Sequence, residues 1–329
     1  MMPRTVEYLA ARTVDDVLSA LADGSTAVLA GGQSLAVELG RADLPVRRLV
    51  DINHVAGLAT LRQSDGVLRV GPLVRHRVFE TGRVGGALGD LMRDVVRHIG
   101  HPPIRARGTM VGSLAYAHPA AEWPALAVTV DARLRLTGPD GTRIVSAEDF
   151  FTGPFTTVRR PEELLAESIL PVLPAGTGVG YAEDRRFTIF PQAGALAIVT
   201  VTEGRVSAAA IGLVNAGPRP LRAPAAERVL LSCGLSDAAI TAAAETAADT
   251  DADLPLTGHD HRRERRNALR TLVRRALTQA RSRADSHPVS ATPSGQETRP
   301  GDADGRRGRE TGIGDADGDW AGDADRRRG

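Results

Sequence analysis

The chain has 329 residues, 42% of them hydrophobic but only 3% aromatic, which suits two or three units whose cores are built from Ala, Val, Leu and Ile rather than one small domain. Its 41 basic residues are all arginine and nearly cancel 40 acids, for a formal net charge of +1; this gives no global attraction to nucleic acid or an anionic membrane, and without lysine there is no Walker-type phosphate site or Schiff base. The one cysteine, Cys233, excludes an internal disulfide and cannot by itself hold an iron–sulfur cluster or a structural zinc.

In chain order, Thr13 reads as a helix N-cap with Asp16 at the third helical position. Val14, Val17, Leu18 and Leu21 follow at helical spacing, and Gly24 supplies a stop. Val28-Leu29-Ala30 reads as a short buried strand running into Gly31-Gly32-Gln33-Ser34. Arg48 to Ile52 is another strand. Leu58–Arg62 and Val67–Gly71 flank Ser64-Asp65-Gly66, a hairpin signal. Leu88, Leu91, Met92, Val95, Val96 and Ile99 mark an amphipathic helix closed by Gly100. A loop rich in Pro and Arg covers His101–Gly108, and a second hairpin turns at Gly138-Pro139-Asp140-Gly141. A new unit begins after Pro171-Val172-Leu173-Pro174. It holds a third hairpin, Ala193–Val201 with Arg205–Val214, and then three helical stretches near Ala223–Leu231, Asp237–Ala247 and His261–Ala280. From Ser282 onward Gly, Asp, Arg, Pro and Ser dominate. Such a segment buries too little apolar surface to offset its ordering entropy, so it is expected to be disordered. The first residues lack the apolar core of a signal peptide, and no apolar run approaches a membrane span; the expectation is a cytoplasmic protein.

Two loops carry the chemistry. One is Leu29-Ala30-Gly31-Gly32-Gln33-Ser34-Leu35, the other Gly108-Thr109-Met110-Val111-Gly112-Ser113-Leu114. Small residues let backbone N–H groups approach a ligand, and successive N–H groups form concave anion sites to which Ser34, Thr109 and Ser113 can add donors. A pyrophosphate would fit between two such loops. Neither is the G-x-G-x-x-G dinucleotide fingerprint. Taken alone, a Gly-Gly pair is as readily a tight turn.

The order and spacing of these loops resemble the FAD-binding subunit of the carbon monoxide dehydrogenase and xanthine dehydrogenase family. The resemblance runs over about residues 3–281. It includes Arg48–Ile52, His98-Ile99-Gly100-His101-Pro102-Pro103-Ile104-Arg105, Pro119-Ala120-Ala121-Glu122-Trp123-Pro124-Ala125, Pro161-Glu162-Glu163-Leu164-Leu165 and Ile211-Gly212-Leu213-Val214. It implies an α+β fold: a two-subdomain FAD cradle of the PCMH/VAO type over residues 1–174, a small C-terminal domain with an antiparallel sheet and three helices over 175–281, and the tail, 282–329. It places FAD as the cofactor. The pyrophosphate would lie on Leu29, Ala30, Gly31, Gly32, Gln33, Ser34, Leu35 and Ala36 and on Thr109, Met110, Val111, Gly112 and Ser113. Glu122 would serve the ribityl or phosphate region, Ile99 and Leu165 would lie against the cofactor, and Phe190 would stand near the flavin ring. The implied partners are a large molybdopterin-binding subunit and a small [2Fe-2S] subunit in a hetero-oligomer. The chain itself would pass electrons from the clusters to an external acceptor.

Four residues at three places depart from the family pattern. Val111 stands where a glycine is usual, and a β-branched residue is costly at positive φ, so strain is expected there unless the loop has shifted to place Val111 at negative φ with its side chain in the core. His118 replaces an Asp, and Thr188-Ile189 replaces Gly-Asp before Phe190. Simpler readings stand beside the others. His98 and His101 lack the further ligands of a metal site, Glu122 could be a solvated or helix N-terminal acid, Leu165 and Phe190 could be core residues, and Cys233 reads as a buried thiol. The arginines of 262–266 read as a solvated or partner-facing helix surface rather than a nucleic-acid site. The alternative functions are a free-standing flavoprotein oxidase and an assembly subunit that has lost FAD.

Overall fold

The computed structural model describes residues 6–40, 46–185, 190–254 and 259–286. The first layer comprises β1 (Glu7–Ala10), α1 (Val14–Leu21), β2 (Thr26–Leu29), α2 (Leu35–Leu39) and β3 (Arg48–Asp51). Its strands run parallel in the order β1–β3–β2. Helix α1 starts where the sequence predicts. Asp16 N–H donates to Thr13 Oγ1 at 3.1 Å, and Thr13 N–H donates to the Asp16 carboxylate at 2.9 Å. This reciprocal cap, worth about 1 kcal/mol, orients α1 so that Val17, Ala20 and Leu21 pack on Val50 and Ile52 of the sheet.

The second layer is antiparallel. It contains β4 (Leu61–Ser64), β5 (Val67–Val70), α3 (Gly86–Val96), α4 (Pro102–Arg107), α5 (Met110–Tyr116), α6 (Glu122–Thr129), β6 (Arg133–Gly138), β7 (Gly141–Ser146), α7 (Ala147–Phe150), β8 (Phe151–Gly153), β9 (Thr156–Thr157) and β10 (Leu164–Pro171). Five strands pair in the order β4–β5–β10–β6–β7. The expected first hairpin turns at Asp65 and Gly66, with φ of 53° and 71°, the positive values that a two-residue hairpin turn needs. Its first strand begins at Leu61 rather than Leu58, because Leu58 is buried in the core beneath the parallel sheet. The apolar stripe of α3 (Leu88, Leu91, Met92, Val95, Val96) is buried in a core shared with Phe79, Met110, Val111, Trp123 and Leu165.

The third layer holds β11 (Thr177–Asp184), β12 (Ala193–Thr202), β13 (Arg205–Val214), β14 (Leu221–Arg222), α8 (Pro224–Cys233), α9 (Asp237–Thr246) and α10 (His259–Ser286). The four strands form an antiparallel sheet in chain order, and the predicted hairpin turns at Glu203-Gly204. Helix α10 lies against β11 at backbone range. A Cβ on Gly178 would come within 1.8 Å of the Ala280 carbonyl oxygen, and one on Gly180 within 2.1 Å of that of Ala276.

Three further expectations change. The stretch His101–Gly108, expected as a loop, forms helix α4 over Pro102–Arg107, because proline in the first turn of a helix has no N–H to leave unpaired and its φ suits the helix. Cys233 is exposed at the end of α8, not buried, because the apolar face of that helix is carried by Ala226 and Leu230 instead. Helix α10 continues five residues past the expected boundary at 281. Ala284 is buried there, and Arg283 donates to Asp94 of α3 and to the Val179 carbonyl. The rest of the predicted tail, from residue 287, lies outside the described residues, as do Thr188 and Ile189. Among the described residues no helix is long and apolar enough to cross a membrane.

Candidate functional site

Strand β2 ends at Leu29 and leads through Ala30–Ser34 into α2. Gly31 touches the other loop directly: a Cβ there would lie 2.4 Å from the Arg107 carbonyl oxygen and 2.8 Å from Gly108 Cα. Only glycine permits this approach. Gly32 has φ of +74°, a left-handed conformation that side chains disfavour. Its carbonyl accepts from Ala36 N–H at 3.0 Å, which starts α2, and Gln33 Nε2 donates to the Gly31 carbonyl at 3.2 Å. Ser34 and Leu35 complete the entry to the helix, and the Ser34 hydroxyl makes no capping bond.

The second loop leaves α4 at Gly108, whose N–H donates to the Ile104 carbonyl at 2.7 Å. Thr109 caps α5, its Oγ1 accepting from Gly112 N–H at 3.1 Å. Ser113 N–H then donates to the Thr109 carbonyl at 3.0 Å. Met110 and Val111 are buried in the core. The expected strain at Val111 is absent, because this residue lies in the first turn of α5 and not at positive φ. Residues 74–76 run antiparallel to 108–110. Met110 N–H donates to the Val74 carbonyl at 3.3 Å, and His76 N–H to the Gly108 carbonyl at 2.9 Å. The buried His76 ring supports the loop: a Cβ on Gly108 would meet it at 2.7 Å. Trp123 Nε1–H donates to His76 Nδ1 at 2.9 Å. Burial, then the nearby Arg105 and Arg75, push the His76 pKa down to about 3, so the ring is neutral.

Side chains that the sequence did not single out join the two loops. Asn53 Nδ2 donates to the Ala30 carbonyl at 2.9 Å and to Asp51 Oδ1 at 2.6 Å. Arg75 donates from Nη2 to Asn53 Oδ1 and from Nη1 to the Arg107 carbonyl. Farther along the same helices, Tyr116 OH on α5 donates to Glu38 Oε1 on α2 at 2.8 Å. The one sequence signal for Asn53 was its place just beyond the end of a strand that faces a glycine loop. Arg75 sits in a stretch with no motif.

The remaining predicted residues lie on other parts of the fold. Glu122 opens α6 and is 3% exposed, so the solvated reading fails. Arg185 Nη2 donates to its Oε1 at 2.6 Å, yet burial outweighs that cation and pushes the Glu122 pKa up to about 7. Arg185 also bonds Glu183, which accepts from Tyr181 OH at 2.6 Å and lies 3.1 Å from His98 Nδ1. Burial works to raise the Glu183 carboxyl, but these bonds and charges outweigh it and hold it below its ordinary range. His98 therefore faces a carboxylate on β11, and His101 sits apart as the N-cap of α4. Phe190 stacks on His118 with ring centroids 3.7 Å apart and planes 11° apart. Arg185 and Phe190 thus anchor both legs of the β11–β12 connection to the segment 118–122. Leu165 is buried in the same core as Met110 and Val111, and Ile99 packs at its edge.

The geometry describes two glycine loops in backbone contact, each opening a helix, with a small antiparallel domain anchored beside them. Comparisons with known proteins agree with it. The family described as the FAD binding domain in molybdopterin dehydrogenase matches residues 4–173, and the CO dehydrogenase flavoprotein C-terminal domain matches residues 185–280. The 6-hydroxypseudooxynicotine dehydrogenase complex subunit alpha of Paenarthrobacter nicotinovorans is 35% identical over 86% of this chain and 97% of its own length. The carbon monoxide dehydrogenase medium chain of Afipia carboxidovorans is 30% identical over 86% of this chain and 99% of its own. Among solved structures, carbon monoxide dehydrogenase from Hydrogenophaga pseudoflava superposes with a TM-score of 0.79 at 31% identity, covering 86% of this chain and 99% of that one. Quinoline 2-oxidoreductase from Pseudomonas putida gives 0.79 at 28% identity, covering 87% and 99%. The chain belongs to the family of FAD-binding medium subunits of the molybdenum hydroxylases. It is an oxidoreductase subunit and its cofactor is FAD.

Proposed function

We propose that this chain is the electron-transfer subunit of a three-part, cytoplasmic molybdenum hydroxylase. In that assembly a large molybdopterin-binding subunit oxidises the substrate, a small [2Fe-2S] subunit relays electrons, and this chain delivers them to an external acceptor. With one cysteine the chain cannot supply the clusters itself. Relatives named as medium chains and complex subunits favour the assembly over a free-standing oxidase. The FAD-free alternative drew on strain at Val111, which is helical and unstrained.

The observation that carries the reading is the contact of Gly31 with Arg107 and Gly108. It brings the main chain of the two loops together at a distance that a single Cβ would force apart. That fits a pyrophosphate, which is recognised by backbone N–H groups at close range. Residues 29–36 and 109–113 would hold it, Glu122 would serve the ribityl region, Ile99 and Leu165 would bound the apolar side, and Phe190 would stand near the ring. Bound FAD supplies reversible one- and two-electron chemistry. The protein's part is to hold it, shield it and set the charge around it.

The test is Gly32→Asp. The substitution places a carboxylate within the first loop at φ of +74° and should abolish flavin binding, by repelling the pyrophosphate, while the circular dichroism stays native. Wild-type flavin should pass an ultrafilter after denaturation, since no tethering residue is apparent. Unchanged flavin content in a folded Gly32→Asp protein would remove the first loop from the site, and flavin retained on denatured chain would show a covalent link.

A further inference from the structure

The two glycine loops are held together by one guanidinium. Arg75 lies between β5 and the turn at His76–Glu80, with its backbone bridged to Thr109. Nη1 reaches the Arg107 carbonyl, the same oxygen that faces Gly31. Nη2 reaches Asn53 Oδ1, and the Asn53 amide in turn holds the Ala30 carbonyl. Asn53 is itself fixed by Asp51, which accepts from its N–H at 2.9 Å, from its Nδ2, and from Tyr8 OH at 2.6 Å. The chain of bonds thus runs from the first loop through one side-chain amide and one guanidinium to the second.

The acceptors of Arg75 are both neutral. Among the described residues no carboxylate forms an ion pair with it, and Asp51, the one acid acting on it, is already occupied by Tyr8 and Asn53. Its positively charged neighbours are the exposed Arg107 and Arg77. Burial, then those two guanidiniums, hold Arg75 below its ordinary pKa range, while Asp51 acts the other way. With two neutral acceptors, and two guanidiniums set against an Asp51 that is already hydrogen-bonded, Arg75 has no carboxylate paired with it among the described residues, and it lies at the junction of the two loops to which the FAD reading assigns a pyrophosphate.

We propose that Arg75 is the positioning residue of the FAD site, pinning the Ala30–Gly31 loop to the Arg107–Thr109 loop and holding at their junction the positive charge that the pyrophosphate neutralises. The proposal rests on the FAD reading and adds a residue, a geometry and a charge to it. A guanidinium suits the task because its planar fork serves two acceptors at a fixed angle, which an ammonium cannot. The positive charge and the fork are separable, and the experiment separates them.

The full chain is prepared flavin-free as wild type, Arg75→Met, Arg75→Lys and Arg75→Gln. FAD affinity is measured at low and high salt, and thermal stability is followed with and without inorganic pyrophosphate. Arg75→Met should weaken FAD by about 10- to 100-fold, the range for losing charge-assisted bonds, and should flatten the salt dependence. Pyrophosphate should raise the unfolding temperature of the wild type but not of Arg75→Met. Arg75→Lys, keeping the charge without the fork, should recover the salt dependence but only part of the affinity. A role in packing alone would leave the salt dependence untouched. Should Arg75→Met fail to fold, Arg75→Gln gives the same neutral comparison. Wild-type affinity and salt dependence in the neutral variants, with FAD still lost in Gly32→Asp, would overturn this inference and leave the FAD reading standing. A wild-type chain that takes up no FAD would overturn both.

Discussion

Val111 shows how one residue can look wrong in sequence and fit in three dimensions. At positive φ a valine would strain the loop, but in the first turn of α5 its backbone is ordinary and its side chain fills the core beside Met110 and Leu114. Replacing it with glycine removes a buried side chain and loosens a helix at once. Val111→Gly should therefore cost about 2–4 kcal/mol of stability and bring no gain in FAD affinity. Urea unfolding and flavin titration of the two forms check this, and tighter FAD binding by the glycine form would restore the strain argument. Glu122 shows the converse. Its residue type and its place at a helix start were legible, but its partner Arg185 lies 63 positions away. No local pattern announces a contact of that range.

Among the elements, α10 and β11 show a packing decided by absent side chains. Gly178 and Gly180 are two apart, so they share one face of the strand, and Ala276, Ala280 and Ala284 are four apart, so they share one face of the helix. Together they let a helix backbone rest on a strand backbone. That signal was present in the sequence, since paired glycines in a strand mark a close approach. The expectation of a three-helix domain did not use it. Gly180→Ala would place a methyl 2.1 Å from the Ala276 carbonyl oxygen, so the helix must shift, at about 1–3 kcal/mol. Gly82→Ala, at an exposed turn with nothing within 4 Å, is the control and should be near neutral. Equal unfolding midpoints for the two variants would show that α10 yields freely.

For the whole molecule, two buried groups tie stability to pH with opposite signs. Glu122 is raised from 4.5 to about 7, so its contribution is full below pH 4.5 and is lost as pH rises to about 7. His76 is lowered from 6.5 to about 3, so its contribution is full above pH 6.5 and is lost as pH falls toward 3. His118, lowered by burial, acts in the same sense as His76. Between pH 4.5 and 6.5 the two effects oppose one another, and the wild type should show a shallow dependence. Glu122→Gln removes one side of the balance. Its stability should climb with pH across that window more steeply than the wild type, by at most about 1.4 kcal/mol per pH unit for one proton. His76→Gln should tilt the other way. Urea midpoints of the flavin-free chain at several pH values decide it, and parallel slopes in all three proteins would show that neither group holds its proton state in the fold.

The sequence by itself marked several of the elements and their order along the chain, though it read the stretch that forms α4 as a loop. Helix starts such as Thr13, hairpin turns such as Asp65-Gly66 and Glu203-Gly204, and the apolar stripe of α3 are local features, fixed by residues within a few positions of one another. It also marked both glycine loops, because close backbone approach leaves a signature in residue type. Tertiary structure decided what those loops do together. The contact of Gly31 with Gly108, the Asn53–Arg75 link, the His76 ring beneath the second loop and the Glu122–Arg185 pair all join residues 22 or more positions apart. Such contacts depend on how the layers stack, and stacking is set by the summed burial of many side chains rather than by any one motif.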